Sequence, residues 1–222
     1  MTHSGTFRVL FVGSMLAVSG VTIALAGWLL WNEWQWNRYM TLLMKGIEDD
    51  NILLIEQSAT QLRNTRKCPD TVAWLVDLVR EDPSEKGCDA CVALCVIGPA
   101  AKAAVPILVQ LLQADHNEEK KLHAAAALAL AGIGREAEPS VPFLAQTLQE
   151  EDSQARQYAA YALGEIGPAA KIAVPLLIVA MHDKNGKVSG YAAIALNKID
   201  PFAAAQAGAD PNADWSDMDG VP

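Results

Sequence analysis

Along most of the chain, apolar residues fall at the i, i+3, i+4 and i+7 spacing of helices with one buried face, and the helices themselves repeat, with a period of about 33 residues. Ala159-Ala160-Tyr161-Ala162-Leu163-Gly164-Glu165-Ile166-Gly167-Pro168 returns one period on as Ala192-Ala193-Ile194-Ala195-Leu196-Asn197-Lys198-Ile199-Asp200-Pro201. One period earlier stands Ala126-Ala127-Leu128-Ala129-Leu130-Ala131-Gly132-Ile133-Gly134. A fourth copy, Ala90-Cys91-Val92-Ala93-Leu94-Cys95-Val96-Ile97-Gly98-Pro99, precedes that one at a slightly longer spacing. A partner segment keeps the same step. Val105-Pro106, Val141-Pro142 and Val174-Pro175 each open an apolar stretch, the first interval being the longer, with Val72-Ala73-Trp74-Leu75 a worn copy upstream. The extra residues of the longer spacing fall around Asp115–Glu119, in a loop where insertion costs little.

Each unit predicts a pair of helices. Gly98, Gly134 and Gly167 sit where a left-handed residue closes a helix, and Pro106, Pro142 and Pro175 sit in the first turn of the next, where a missing N–H costs nothing. One such pair leaves an apolar face open, so the pairs must stack, giving an all-α solenoid of about four hairpins over residues 41–205. Lys45–Arg63 predicts a degenerate first helix that caps the stack. Residues 206–222 carry four Asp and no Lys or Arg, and predict a disordered acidic tail around Trp215.

The N-terminal part follows another pattern. Val9–Trp31 runs without a single charged residue. At about 1.5 Å per residue such a helix spans roughly 35 Å, enough for a bilayer core. Trp28, Trp31, Trp34, Trp36 and Tyr39 follow where the helix would leave the bilayer. These residues predict a short tail (1–8), a transmembrane anchor (9–31) and an aromatic juxtamembrane segment (32–40). The same residues admit a cleaved signal peptide, with Arg8 as its charged start and Ala24-Leu25-Ala26 before the cut, but the apolar run continues past that point into Trp28-Leu29-Leu30-Trp31. Arg8 on one flank nearly balances Arg38 and Lys45 on the other. A short cationic terminus held in the cytoplasm puts the repeats of this single-pass membrane protein on the non-cytoplasmic side.

Composition narrows the function. Hydrophobic residues make up 51% of the chain and aromatic ones 6%, so a core can form and alanine supplies much of it. The 17 Lys and Arg against 26 Asp and Glu leave a net charge of −9 and no long basic run, which argues against nucleic acid as a partner. No GxSxG, HExxH, GxxxxGK[ST] or GxGxxG motif occurs, so the expectation is a protein without catalytic residues, cofactor, metal or small-molecule substrate. Cys88, Cys91 and Cys95 fall at i, i+3 and i+7 on one helix, with Cys68 one helix earlier. Cys91 and Cys95 align with Ala127/Ala131 and Ala160/Gly164, which makes them small packing residues. A Cys68–Cys95 bridge and a metal or redox role stay open beside that reading.

The AAxALxxIGPxA stretch from Ala159 to Ala170 and the AVPxL segments Ala104–Leu108 and Ala173–Leu177 resemble the HEAT-repeat family, in particular its short repeats of the phycobilisome-lyase type. That resemblance implies a right-handed, armadillo/HEAT-like superhelix serving as a binding scaffold, with a bilin lyase-like or other enzyme-accessory role as the alternative. The family's Asp-then-Arg feature is matched at Asp152 and Arg156, whereas His123 and Ser189 stand in place of the Arg elsewhere. The iron hydroxylases on related repeats use His-Glu dipeptides, and this chain has none.

Within the second helix of each unit one face varies: Asp89/Val92/Val96, Ala125/Leu128/Gly132, Tyr158/Tyr161/Glu165 and Tyr191/Ile194/Lys198. Spacing of i, i+3, i+7 makes each triplet an exposed stripe, and stacking sets the four stripes side by side on what the family resemblance makes the concave face. Val92, Leu128, Tyr158, Tyr161, Glu165, Tyr191, Ile194 and Lys198 are therefore the expected contacts for a partner protein of a membrane-anchored adaptor.

Overall fold

In the computed structural model, residues 28–82, 84–114 and 120–209 are described, and the regular structure among them is entirely helical. Most of the expected anchor (9–27) and of the acidic tail (210–222) lies outside the described residues. A first helix α1 covers 28–48, followed by α2 (Ile52–Arg63), α3 (Cys68–Glu81), α4 (Glu85–Ile97), α5 (Val105–Gln113) and α6 (Lys120–Ile133). Then come α7 (Val141–Thr147), α8 (Ser153–Ile166), α9 (Val174–Ala180), α10 (Gly186–Ile199) and the short α11 (Pro201–Gln206). The hairpins α3/α4, α5/α6, α7/α8 and α9/α10 stack in order, which is the solenoid expected from the repeat.

The punctuation acts where the sequence puts it. Gly98, Gly134 and Gly167 take φ of 73°, 67° and 75°, a region that penalises any residue with a Cβ. Each opens a seven-residue 3₁₀ segment (Gly98–Ala104, Gly134–Ser140, Gly167–Ala173) that leads into the next helix, with Pro106, Pro142 or Pro175 in its first turn. Asn51, Asp152, Asn185 and Asp200 cap α2, α8, α10 and α11 by accepting from backbone N–H groups of the first turn. One expectation is corrected. Residues 45–63 are not a single helix, because the chain breaks at Asp50, which turns with φ of 49°, and restarts at the Asn51 cap.

The second helices make the core. Leu94, Leu130 and Leu163, one per copy, are fully buried beside Ile97, Ile133 and Ile166, each leucine contributing about 2–3 kcal/mol of apolar burial. Alanines fill the seams between α4, α6, α8 and α10, so these helices touch along most of their length. The first helices α5, α7 and α9 are only nine, seven and seven residues long and touch one another little. The second helices thus form one continuous face of the stack, called here the inner face after the concave face that the family resemblance implies.

At the other end, α1 is strapped to the stack. Met40, Leu43 and Ile47 are buried, and the Trp36 indole Nε1 donates to Thr71 Oγ1 at 3.0 Å. Lys67 reaches Glu33 at 3.2 Å with its ammonium 4.7 Å from the Trp36 ring centroid. Towards its start α1 exposes Trp28, Leu29, Leu30, Trp31 and Trp34. Glu85–Gln113 and Ser153–Ala180 are long and apolar enough in composition to cross a membrane. Each is turned midway by a left-handed glycine, Gly98 or Gly167, and about half of each is buried against the protein, as core helices of a repeat stack are.

Candidate partner-binding face

The inner face is built from α2, α4, α6, α8 and α10, and the eight expected contact residues all lie on the last four of these. Their exposure differs from the expectation. Val92, Tyr161, Glu165 and Ile194 are half-buried and Lys198 is exposed, but Leu128, Tyr158 and Tyr191 retain only 4%, 9% and 8% of their accessible surface. The stripes are thus not uniformly exposed. Helical spacing assigns a residue to a face, whereas the alanine-lined seams draw the neighbouring helix close enough to cover large side chains beside them. Tyr161 and Tyr191 meet across such a seam, their ring centroids 5.5 Å apart and tilted by 56°. Lys198 Nζ bonds Glu165 Oε1 at 2.6 Å across the same gap. Burial, and then the Glu165 carboxylate, push the Tyr161 phenol up, so it stays a neutral donor and acceptor.

Between the N-terminal ends of α4, α6 and α8 the face opens into a cavity of about 350 Å³. Asp50, Glu85, Asp89, Val92, Leu128 and Tyr158 are among the residues lining it. Asp89 is its unusual member. It occupies the position held by Ala125, Tyr158 and Tyr191 in the other copies, is 6% exposed, and has no hydrogen-bond or ion-pair partner among the described residues. Burial, and then the charges of Asp50 and Glu85, push its carboxyl up to about 6. Lys121 stands at the rim, 3.5 Å from Glu85 and largely in solvent. The sequence reading put Asp89 in a stripe but not among the contacts. The available signal was a lone acid at a repeat position otherwise filled by Ala or Tyr.

The rungs of this face are held in register by buried polar connectors. Arg156 on α8 is 6% exposed and grips Asp183 of the next hairpin twice, Nε to Oδ2 at 2.7 Å and Nη2 to Oδ1 at 3.0 Å. Its Nη1 donates to the carbonyls of Glu150 and Glu151, both at 2.8 Å. Asp152 caps α8 instead of pairing with Arg156, so the partner of the Arg is an acid of the following unit. One repeat earlier His123 faces Glu150 at the same offset, with Nδ1 3.7 Å from Oε2.

The cysteines are unbridged, and among the described residues no group of three or more His, Cys, Asp or Glu is arranged to hold a metal ion. Cys91 has no exposed surface, like Ala127 and Ala160 at its repeat positions. Burial pushes the Cys68 and Cys91 thiols up and the Cys95 thiol up to about 11, the opposite of an activated thiolate.

Comparison with known proteins bears on the fold. No curated protein matches the chain in sequence. The crystal structure of an engineered protein is similar over 75% of this chain and 83% of its own, at 25% identity and a TM-score of 0.53. A second engineered protein is similar over 75% and 87%, at 24% identity and a TM-score of 0.52. A designed armadillo repeat protein, solved in complex with the peptide (KR)4, is similar over 70% and 80%, at 19% identity and a TM-score of 0.51. Residues 141–207, from α7 to just beyond α11, match the family of HEAT repeats, within an armadillo/HEAT-like α-solenoid that also takes in the hairpins before them.

Proposed function

We propose that the protein is a membrane-anchored HEAT-repeat scaffold that binds a partner protein on its inner face and performs no catalysis of its own. The observations that carry this reading are the cavity on the face of the second helices, lined by Val92, Leu128 and Tyr158 among others, and half-buried Tyr161 and Ile194 on the same face. A preformed, rigid face of this kind lowers the ordering cost of association, and clustered tyrosines supply contact area at low side-chain entropy. A protein of the same fold is solved with a peptide bound. The anchor rests on the uncharged run 9–31 and on the exposed Trp28, Leu29, Leu30, Trp31 and Trp34 that continue it. Held to a bilayer, the face meets partners of the same membrane at raised effective concentration. The repeats then lie on the non-cytoplasmic side.

Photo-crosslinking in intact membranes tests the reading. A photoreactive residue at position 161 should capture one recurrent protein. The same residue at 179 on α9, where Val179 is 68% exposed, should not. Equal capture at both positions, or none at 161, would remove the inner face as the binding surface.

A further inference from the structure

Where the uncharged run ends, α1 meets a cationic corner of the stack. The last residues of the run, 28–31, already belong to α1, which continues without a break to residue 48. Exposed Trp28, Leu30, Trp31 and Trp34 are followed on the same helix by Arg38, whose guanidinium lies 5.7 Å from the Trp34 ring centroid and 5.9 Å from that of Tyr39. Helix α2 runs back along α1: Gly46 lies against Ile55, and Tyr39 borders the same cleft as Gln61. The end of α2 and the start of α3 therefore stand level with residues 33–38. The contacts agree, since Lys67 pairs with Glu33 at 3.2 Å and Trp36 donates to Thr71. From Gln57 to Pro69 the chain holds three cations, Arg63, Arg66 and Lys67, and no acid, in a protein of net charge −9. Against them stand Glu33, already bonded to Lys67, and Asp70 in the first turn of α3. Arg38, Arg63 and Arg66 are exposed and have no ion-pair partner among the described residues.

Depth decides what this corner meets. With Trp31 at the edge of the hydrocarbon, a headgroup layer about 5–8 Å deep takes in roughly the next three to five residues of helix. That is the level of Glu33 and Trp36, and so of Lys67, whose ammonium lies 4.7 Å from the Trp36 ring centroid. The order along the molecule is apolar, then aromatic, then cationic. A bilayer presents hydrocarbon, interface and anionic headgroup in the same order. We infer that Arg38, Arg63, Arg66 and Lys67 form a cationic collar that binds anionic phospholipid headgroups of the leaflet from which the anchor emerges. The inference rests on the anchor proposed above and adds a second contact to it, made by the repeat domain itself. Because α1 joins the span to the stack without a linker, the collar is held at the headgroups and the stack keeps one attitude to the bilayer.

The test reconstitutes the full-length chain in phosphatidylcholine bilayers and adds spin-labelled phosphatidylglycerol or spin-labelled phosphatidylcholine. Electron paramagnetic resonance then reads the fraction of each lipid that the protein immobilises. The parent should favour phosphatidylglycerol about threefold or more at low salt. Most of that preference should vanish near 1 M salt, where charges are screened beyond about 3 Å. Arg38→Gln with Arg66→Gln should bring the preference close to one. Lys184→Gln with Lys187→Gln, which removes the same charge from exposed positions in the last hairpin, should leave it unchanged. Melting temperatures equal to that of the parent show that both double variants are folded. An immobilised fraction in which the parent does not discriminate the two lipids, or an equal loss of preference in both double variants, keeps the anchor and overturns the collar. No immobilised fraction with either lipid removes the anchor reading itself, and the collar with it.

Discussion

Gly132→Ala is expected to lose about 3 kcal/mol or more of folding stability, read as a lower urea midpoint at unchanged slope. Glycine inside α6 is unfavourable by about 1 kcal/mol relative to alanine, so propensity alone predicts the opposite sign. Packing decides against it. A methyl group on Gly132 would overlap the Cys95 carbonyl oxygen and lie 2.6 Å from the Cys95 Cα, where ordinary contacts begin near 3.4 Å. The obstacle is the backbone of α4, which no rotamer change can move, so the α4–α6 seam must open. Gly164 is a milder case, with 3.1 Å to the Cα of Ala195. Gly186, at the start of α10 with nothing within 4 Å, is the control: Gly186→Ala should gain a few tenths to about 1 kcal/mol. If Gly132→Ala is as stable as the parent, the two helices do not approach as described.

Arg156→Met should cost about 3–5 kcal/mol, because it strands Asp183 in a largely buried site and leaves the carbonyls of Glu150 and Glu151 without their donor. The double change Arg156→Met with Asp183→Leu should recover part of that loss, since no uncompensated charge remains. Hydrogen bonding from Arg156, and then from the Asn185 amide, holds the Asp183 carboxyl below the ordinary range. A depressed carboxylate contributes stability in full above the unfolded-state value near 4, and loses it as pH falls through the lowered folded value. The gap between parent and Arg156→Met should therefore be constant at neutral pH and narrow below about pH 4. A gap that widens with acid would contradict the pairing. Melting curves at several pH values read both effects.

The repeat was legible because burial is written into residue type. A position that stays Ala, Leu or Ile through four copies is a seam or a core position, and Leu94, Leu130, Leu163 and Leu196 are all buried. The glycines were legible because their φ admits little else. Other features depend on distances that spacing cannot carry. Tyr158 and Tyr191 are assigned to the right helices by their periodicity, yet how closely α6, α8 and α10 approach decides that they are covered. Asp183 could not be matched to Arg156 within one repeat, since the pair spans two hairpins. The break at Asp50 was not legible because Glu48-Asp49-Asp50-Asn51 reads equally as a charged helical surface or as a turn before a cap. The 3₁₀ segments that open at Gly98, Gly134 and Gly167 were hidden because Gly-Pro-Ala-Ala, in the first and third, and Gly-Arg-Glu-Ala, in the second, read as turns. Asp89 was visible as an odd residue in its column, but its isolation became apparent only with the cavity around it.

A nuclear magnetic resonance titration of isotope-labelled full-length chain in micelles, with the protein captured at position 161, tests most directly whether the inner face of second helices is the working surface. Amide shifts should move at Asp89, Val92, Leu128 and Tyr158, while Ile172, Val179 and Phe202, exposed on other parts of the stack, stay still. Shifts centred on the first helices, or spread evenly over the acidic surface, would contradict it.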